Sequence, residues 1–404
     1  MIKAPYSNVC ICDVCAGIVF NLSDDSINHQ RARKRREELI KAALNTGTVR
    51  KGPAATPAEI RRHLDKYIIG QEKAKKILSV AICNHAKRLK DKGRLIKKSN
   101  ILLVGPSGCG KTLLAQTLAR LLDVPFAMID ATRLTEAGYV GDDVEICLER
   151  LLDAAGGDVG LAQKGVVFID EIDKISGKES GIRDVGGRAV QAALLKLLES
   201  SEVSVLSDGN RRNPNAKYAT IDTTDILFIC GGAFDGITNG KKCERHSIGF
   251  LAENNEPEPV KKEPVSTETL IRYGLMPELV GRLPVICTLD DLSEDDLVRI
   301  LTEPEDAITK EYELLLKKDG VKLVFEPGAL SEIARTSISR RTGARGLRSI
   351  LEDVMTDIMY ELPDCSDISK CVVTADSIRT KQPILIKKRS RKRQAEGRAD
   401  FKHP

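Results

Sequence analysis

Several features are scarce or absent in this 404-residue sequence, and each absence excludes a class of protein. Trp is missing, and aromatic residues make up only 4% of the chain. No apolar run approaches the ~20 residues that a membrane-spanning helix needs, so we expect no membrane association. The start, MIKAPYSNVCICD, lacks the basic and then apolar stretches of a secretory signal. We therefore expect a cytoplasmic protein.

Internal repeats and protease motifs are also absent. The sequence contains no HExxH motif and no Ser/His/Asp arrangement typical of a peptidase. We therefore do not expect the chain to cleave peptide bonds itself.

Positive charge is concentrated at one end of the chain. The formal net charge is +5, but eight Lys/Arg and only two acidic residues lie in 387–404, so the remainder is close to neutral. A tail of this kind is typical of a solvated, disordered end. Weak binding to an acidic partner or to nucleic acid is the alternative.

Most of the eleven Cys are scattered among apolar neighbours, which is typical of buried, reduced thiols. Cys10, Cys12 and Cys15 form the only cluster. This cluster is the one place in the sequence where a metal site is worth considering.

The pattern of the chain predicts four regions. Residues 1–55 are a Cys-bearing head and basic linker, and residues 387–404 are a basic disordered tail. Residues 56–292 alternate short apolar runs with amphipathic stretches, which predicts an α/β domain with a parallel sheet between helices. Residues 293–386 predict a small, mainly helical domain with one strand at Val321–Phe325, and Ser293 with Asp296 predicts a capping box at its first helix.

A glycine-rich segment fits the pattern GxxxxGK[ST] between a predicted strand and a predicted helix. In this arrangement backbone N–H groups converge on phosphates at the positive end of the helix, which predicts ATP binding. Lys111 would neutralise the β- and γ-phosphates, and Thr112 would offer its hydroxyl to Mg²⁺. The predicted phosphate-binding residues are Gly105, Pro106, Ser107, Gly108, Cys109, Gly110, Lys111 and Thr112.

A second buried strand ends in adjacent carboxylates, in the sequence VVFIDEID from residue 166. Asp170 is placed to hold Mg²⁺, and Glu171 to orient and deprotonate the attacking water. A surface acidic pair would be the alternative, and we expect Asp173 to have a structural role.

Two arginines are candidates for stabilising a γ-phosphate transition state. Arg282 lies in PELVGRLP, and Arg345 begins a predicted helix in TGARGLR. A guanidinium supplied in this way can be worth ~10³-fold or more in rate. Composition alone leaves either residue equally open to a role in a surface ion pair.

Together these motifs resemble the AAA+ ATPases, and among them the unfoldases that serve Clp-type proteases, across residues 56–386. The resemblance implies that Ile68 and Ile69, in YIIGQEKAK, pack on adenine. It also implies that Arg282 is an arginine finger acting in trans, that Arg345 is a sensor arginine, and that the chain forms a homo-hexamer with ATP between subunits.

Two short segments are similar to motifs of the unfoldase branch. The sequence GYVG, with Tyr139 and Val140, resembles the axial pore loop that grips an unfolded polypeptide; a turn with a buried Tyr is the alternative. Arg183, Arg211 and Arg212 occupy positions similar to other pore residues. The tripeptide Ile248, Gly249 and Phe250 resembles the segment that docks on a ClpP-type peptidase.

The chain departs from the family pattern at its head. Family members bind zinc through two CxxC pairs, whereas here only Cys12 and Cys15 form such a pair. Structural zinc needs four ligands, so we expect an incomplete Zn²⁺ site in a truncated or degenerate head. The pore segments differ as well, because the family's Arg-Lys-His triad is Arg211-Arg212-Asn213 here, which keeps positive charge but loses the His.

These observations predict an ATPase that unfolds and translocates tagged or unfolded protein substrates into a ClpP-type peptidase. Two alternatives share the same nucleotide motifs: a nucleic-acid ring motor and a remodelling chaperone that works without a peptidase. A nucleic-acid motor would be expected to line its pore with Lys and Arg, and the near-neutral body of the chain favours a protein substrate.

Overall fold

The computed structural model of the chain describes residues 2–3, 10–11, 56–91, 95–135, 142–176, 185–208, 217–237, 265–362, 367–382 and 384–387. The chain divides into two units, residues 1–53 and residues 54–404. In the first unit, strands β1 (Ile2–Lys3) and β2 (Cys10–Ile11) pair antiparallel.

Two helices open the second unit. Helix α1 (Pro57–Leu64) begins at a capping box, in which Thr56 and Glu59 each accept the other's backbone N–H, and Pro57 takes the first helical position. Helix α2 (Glu72–Lys90) follows a turn in which Gly70 and Gln71 both have positive φ, 66° and 56°. The left-handed turn fixes the direction in which α2 leaves α1.

The next part of the unit alternates strands and helices as the sequence predicts. In chain order its elements are β3 (Ile101–Val104), α3 (Lys111–Leu122), β4 (Phe126–Asp130), β5 (Leu134–Thr135), β6 (Asp142–Asp143), α4 (Ile146–Ala154), α5 (Val159–Ala162), β7 (Val166–Asp170), α6 (Val185–Leu198), β8 (Glu202–Asp208), β9 (Lys217–Asp222), β10 (Leu227–Gly232), α7 (Thr267–Tyr273), α8 (Pro277–Gly281) and β11 (Val285–Thr288). Three short 3₁₀ helices lie at Ala131–Arg133, Ile172–Ile175 and Thr223–Asp225.

Five of these strands form one parallel sheet in the order β11-β3-β10-β7-β4. All residues of β3, β7 and β10 are buried, and separate apolar clusters cover the two faces of the sheet. This arrangement confirms the predicted α/β fold with helices on both faces. Because the strands are parallel, their carboxyl ends lie together at one edge and their amino ends at the other; we call these the carboxyl edge and the amino edge.

Residues from 292 onward build a third apolar cluster of their own. Its elements are α9 (Glu294–Thr302), α10 (Ile308–Lys318), β12 (Lys322–Phe325), α11 (Pro327–Ser339), α12 (Ala344–Glu361), β13 (Ile368–Val373), α13 (Ala375–Thr380) and β14 (Ile384–Lys387). The predicted capping box of Ser293 and Asp296 is present at the start of α9. We refer to residues 292–387 as the helical region.

The sheet of the helical region is larger than the sequence predicts. Strand β12 agrees with the predicted Val321–Phe325, but it pairs with β13, which pairs in turn with β14. All four residues of β14 are exposed, and β13 includes polar Ser369 and Lys370. Polar residues interrupt β13, and the apolar run of β14 is only three residues long, so their pairing was missed.

Among the described residues, no helix combines the length and apolar character needed to cross a membrane.

Candidate functional site

The glycine-rich loop joins β3 to α3 at the carboxyl edge. Gly105 is so closely packed that a side-chain Cβ there would lie 2.8 Å from Leu289 Cβ, and its N–H donates to the Gly232 carbonyl over 3.1 Å. Gly108 and Gly110 have φ of +78° and +100°, which favour glycine. Gly110 is also the N-cap of α3 and carries no capping side chain. The first N–H groups of α3 therefore lie next to the loop, as anion binding requires.

Lys111 is folded back over this loop. Its Nζ donates to the carbonyl oxygens of Gly105 and Pro106, over 2.6 Å and 2.9 Å, and the residue is 8% exposed. Two backbone carbonyls hold the ammonium group inside the loop. The positive group is therefore already at the place where a phosphate would need it.

The end of β7 brings a carboxylate to the same loop. Asp170 is 6% exposed, and its Oδ2 accepts a hydrogen bond from Thr112 Oγ1 over 3.3 Å. Its Oδ1 accepts from the backbone N–H of Glu171 over 3.0 Å. A hydroxyl next to a carboxylate supplies the oxygen ligands that Mg²⁺ prefers. The residues present thus fit a magnesium ion bound with a nucleotide.

Glu171 and Asp173 differ in position although they are two residues apart. Glu171 is exposed and has φ of 58°, so its backbone turns sharply as the strand ends. Asp173 is 1% exposed and accepts from the backbone N–H of Ala233 over 3.1 Å. The first carboxylate is thus open to solvent at the carboxyl edge, and the second joins β7 to β10.

The helical region reaches the loop through the start of α12. The N–H of Ala344 donates to the Gly108 carbonyl over 3.2 Å, and a Cβ on Gly343 would lie 3.2 Å from the carbonyl oxygens of Ser107 and Gly108. Arg345 Nη2 lies 4.0 Å from Asp170 Oδ2, and the Arg345 side chain is 64% exposed. The predicted sensor arginine is therefore at the same site as the predicted Mg²⁺ carboxylate.

The segment predicted to contact adenine lies beside the loop. Ile68 and Ile69 are 5% and 6% exposed, and Ile68 shares an apolar cluster with Cys109 and Leu289. Gln71 exchanges two hydrogen bonds with the backbone of Asp290, over 2.8 Å and 2.9 Å. Both isoleucines are consequently held next to the point where the chain passes into the helical region.

The same segment is tied directly to the helical region through Glu305. Glu305 accepts from Lys66 Nζ over 2.9 Å and from the Tyr67 hydroxyl over 3.2 Å. Hydrogen bonds to this carboxylate raise the pKa of Lys66 and of Tyr67.

Cys109 is the only loop residue with a thiol, and it is 4% exposed. Burial raises its pKa, with the Lys111 charge acting in the opposite direction. A buried thiol with a raised pKa is a poor nucleophile.

Arg282 lies apart from the residues of the phosphate-binding loop. It caps α8 just before β11, whose Val285 is in register with Ile101 at the beginning of β3. Its carbonyl accepts from Asn100 Nδ2 over 2.9 Å, and its guanidinium forms an ion pair with Glu199 over 2.7 Å. Arg282 therefore lies at the amino edge, opposite the loop that carries Lys111.

The remaining predicted site residues lie outside the described part of the chain. They are the predicted pore residues Tyr139, Val140, Arg183, Arg211 and Arg212, the predicted docking residues Ile248, Gly249 and Phe250, and the candidate zinc ligands Cys12 and Cys15.

Two contacts and one buried side chain were missed from the sequence: Glu199 with Arg282 at the amino edge, Ala344 with Gly108 at the loop, and the buried Gln191. Gln191 is 0% exposed and interrupts an otherwise apolar stretch of α6, which could have signalled a buried polar link. The other two contacts join residues far apart in the sequence, and no local pattern signals them.

Comparison with known proteins agrees with this geometry. Residues 96–286 match the AAA domain family described as the Cdc48 subfamily, and residues 292–370 match the C-terminal, D2-small domain of ClpB protein. Over 385 residues, 92% of this chain and 86% of the relative, the sequence is 46% identical to the ATP-dependent Clp protease ATP-binding subunit ClpX of Borrelia duttonii (strain Ly). The ClpX subunit of Borrelia recurrentis (strain A1) matches with the same identity and coverage.

The chain belongs to the ClpX family. Membership of this family confirms the predicted AAA+ fold and makes the chain an ATPase and not a peptidase. In a ClpX-family chain, the loop at Gly105 to Thr112 is the part of the sequence that has the form of a nucleotide site. The individual roles of its side chains remain predictions.

Proposed function

We propose that this chain is an ATP-driven protein unfoldase and translocase that feeds substrate proteins into a ClpP-type peptidase. The observation that carries the proposal is the meeting of Lys111, Asp170 and Arg345 at one edge of the sheet, in a chain 46% identical to ClpX subunits. The groups come from two regions of the chain. ATP bound between them can therefore sense and alter how the two regions are arranged.

The chemistry follows from the position of each group. Lys111 and the first N–H groups of α3 bind the phosphates, while Thr112 and Asp170 hold Mg²⁺. When bound, Mg²⁺ neutralises charge on the β- and γ-phosphate oxygens. Glu171, exposed at the end of β7, orients the attacking water and accepts its proton. Arg345 places positive charge near the γ-phosphate from the helical region.

Assembly into a ring is supported by the position of Arg282. Strand β3 separates it from the phosphate-binding loop of its own chain by about 13 Å, since four residues rise about 3.3 Å each. If Arg282 stabilises a γ-phosphate, that ATP must belong to another subunit. A homo-hexameric ring with Arg282 acting in trans meets this requirement.

Movement of substrate follows from the contact between the helical region and the loop. Loss of the γ-phosphate removes a partner of Arg345, so the helical region is freed to rotate against the α/β domain of residues 56–292. In the ring, this rotation would displace Tyr139 and Val140, which grip the unfolded chain in the pore together with Arg183, Arg211 and Arg212. We propose residues 56–292 and residues 293–386 as the two domains of this motor.

The peptidase contact is assigned to Ile248, Gly249 and Phe250, an apolar segment within a polar stretch. We also propose that the protein is cytoplasmic. A zinc site at Cys12 and Cys15 forms no part of the proposal, because one CxxC pair supplies too few ligands.

The proposal is tested by ATP-dependent degradation of a tagged, stably folded protein, with this chain and a ClpP-type peptidase mixed. Two variants separate the steps. Glu171→Gln is expected to abolish both ATP hydrolysis and degradation. Phe250→Ala is expected to abolish degradation while ATP hydrolysis and unfolding persist.

Brisk ATP hydrolysis without unfolding by the unmutated chain would overturn the proposal in favour of the nucleic-acid motor. Unfolding that proceeds without degradation in the unmutated mixture would favour a remodelling chaperone that works without a peptidase.

A further inference from the structure

The guanidinium of Arg282 is held by one carboxylate at the end of α6. Arg282 Nε and Nη2 both donate to Glu199 Oε1, over 3.1 Å and 2.7 Å. These two bonds use the side edge of the guanidinium plane, and Nη1 takes no part in them. The orientation of the plane is therefore set by Glu199, while one end of the group is directed away from the pair.

The backbone on both sides of this pair is fixed by further hydrogen bonds. The Arg282 N–H donates to the Leu279 carbonyl over 3.0 Å, and its own carbonyl accepts from Asn100 Nδ2 over 2.9 Å. The Glu199 N–H donates to the Leu195 carbonyl over 3.0 Å. Neither residue is on a free loop, so the backbone fixes the positions from which both side chains start.

Gln191 fixes the elements that carry the two residues. Its Oε1 accepts from the Met276 N–H over 2.8 Å, and its Nε2 donates to the Ile175 carbonyl over 2.8 Å. Gln191 lies within α6, which ends before Glu199, and Met276 caps α8, which ends before Arg282. A fully buried amide thus joins the two helices whose ends carry the ion pair.

Stability does not explain the pair. The side chains of Arg282 and Glu199 are 52% and 41% exposed, and ion pairs this exposed add little to the stability of a fold. What the carboxylate does supply is a fixed direction for a long, rotamer-rich side chain. Pre-ordering of that kind matters where a charge must reach a developing transition state.

We propose that Glu199 is a positioning residue for Arg282, which it orients toward the ATP of the adjacent subunit. The inference rests on the proposed role of Arg282 in trans. Glu199 keeps the Nε–Nη2 edge occupied, so that the Nη1 end of the guanidinium faces the neighbouring γ-phosphate. Loss of Glu199 leaves the subunit's own phosphate-binding loop intact. The subunit then supplies a misdirected Arg282 to the ATP of its neighbour.

Mixed rings test this directly. A Glu171→Gln subunit cannot hydrolyse its own ATP but still supplies Glu199 and Arg282, whereas a Glu199→Ala subunit has an intact loop and supplies a misdirected arginine. Glu199→Ala alone should lose at least about tenfold in hydrolysis rate. Mixing it with Glu171→Gln should give more hydrolysis than the two pure preparations combined.

Three further variants make the outcome unambiguous. Glu199→Gln keeps an acceptor oxygen of the same reach and should retain more activity than Glu199→Ala. Glu202→Ala, an exposed glutamate three residues along the chain, should hydrolyse ATP as the unmutated chain does. Arg282→Ala should also be complemented by Glu171→Gln.

The two proposals fail in different ways. If Arg282→Ala is complemented and Glu199→Ala is not, then Glu199 acts within its own subunit and the inference is overturned. If neither is complemented, the role of Arg282 in trans is itself wrong. Faster hydrolysis by Glu199→Ala, or failure of both Glu199 variants to form rings that unmutated subunits form, would likewise overturn the positioning role.

Discussion

The two edges of the central sheet both carry charged side chains, but they hold them in different ways. At the carboxyl edge, Lys111 bonds to carbonyls of the glycine-rich loop, Asp170 accepts from Thr112, and Glu171 is open to solvent. At the amino edge, His85 is buried and Lys98 is half-buried against the protein itself. Lys98 donates to the Thr223 carbonyl over 2.7 Å and lies over the Phe228 ring, 4.7 Å from its centroid.

Burial dominates the titration of the groups at the amino edge. Burial first and the Arg88 charge second lower the pKa of His85 to about 4 and that of Lys98 to about 7. Arg88 is itself paired with Asp225 over 3.4 Å. The difference teaches that strongly shifted pKa values at the amino edge accompany burial in a packed region.

The largest expected effect is a loss of ATP hydrolysis when a charge is removed at the carboxyl edge but not when one is removed at the amino edge. Lys111→Met should reduce ATP hydrolysis at least about 10²-fold, since it removes a charge that acts on the transferred phosphate. Lys98→Met is the matched control at the amino edge and should leave hydrolysis near that of the unmutated chain. Steady-state ATPase rates and thermal unfolding of both variants measure this. Equal losses of hydrolysis in the two would break the distinction between the edges.

The second largest expected effect is a dependence of protein stability on pH that arises from His85 at the amino edge. In the unfolded chain His85 gains a proton as the pH falls below about 6.5, while in the folded chain it stays neutral down to about 4. The unfolded state thus binds more protons in this window, so stability falls as the pH drops from 6.5 to 4, by up to about 3 kcal/mol.

Replacement of this histidine should remove that dependence. His85→Leu is expected to lose less melting temperature between pH 7 and pH 5 than the unmutated chain, with unchanged ATP hydrolysis at pH 7. His63→Leu, a partly exposed histidine on α1, is the control and should keep the dependence of the unmutated chain. Parallel pH curves for His85→Leu and the unmutated chain would contradict the interpretation.

The smallest expected effect tests whether the carboxyl edge depends on the helical region. Gly343 has φ of +57° and packs against the carbonyls of Ser107 and Gly108, so Gly343→Ala combines backbone strain of about 1–3 kcal/mol with a close contact at the loop. We expect a higher KM for ATP and a lower melting temperature. Gly328→Ala is the control, because its Cβ would meet only Ala375 Cβ, at 3.7 Å. Identical KM values for the two variants would show that the contact does not matter.

The sequence predicts the carboxyl edge much better than the amino edge. The loop from Gly105 to Thr112 and the carboxylates at Asp170 and Glu171 are each local patterns, so the strand–turn–helix and strand-end geometry could be inferred from residue order alone. The strand order of the sheet has no such local signal. The approach of Glu199 to Arg282, 83 residues apart, depends on that order and on the path of α6.

The helical region shows the same limit. Ser293 and Asp296 predict the start of α9, and the residues around Arg345 predict the start of α12. Strand β13 carries two adjacent polar residues and strand β14 an apolar run of only three, so neither segment shows the alternation of a half-buried strand. Their pairing is decided by neighbours along the sheet.

Strand β3 has a mechanical consequence. Asn100 at its start is bonded to the Arg282 carbonyl, and Gly105 at its end opens the phosphate-binding loop. All four strand residues are 0% exposed and paired on both sides, so the strand cannot stretch or shift without breaking hydrogen bonds to both neighbouring strands. It therefore works as a spacer of fixed length. In a ring, the distance between the ATP that a subunit holds and the ATP that it helps to hydrolyse would be set by this rigid strand, and any tilt of a subunit would reach both nucleotides together.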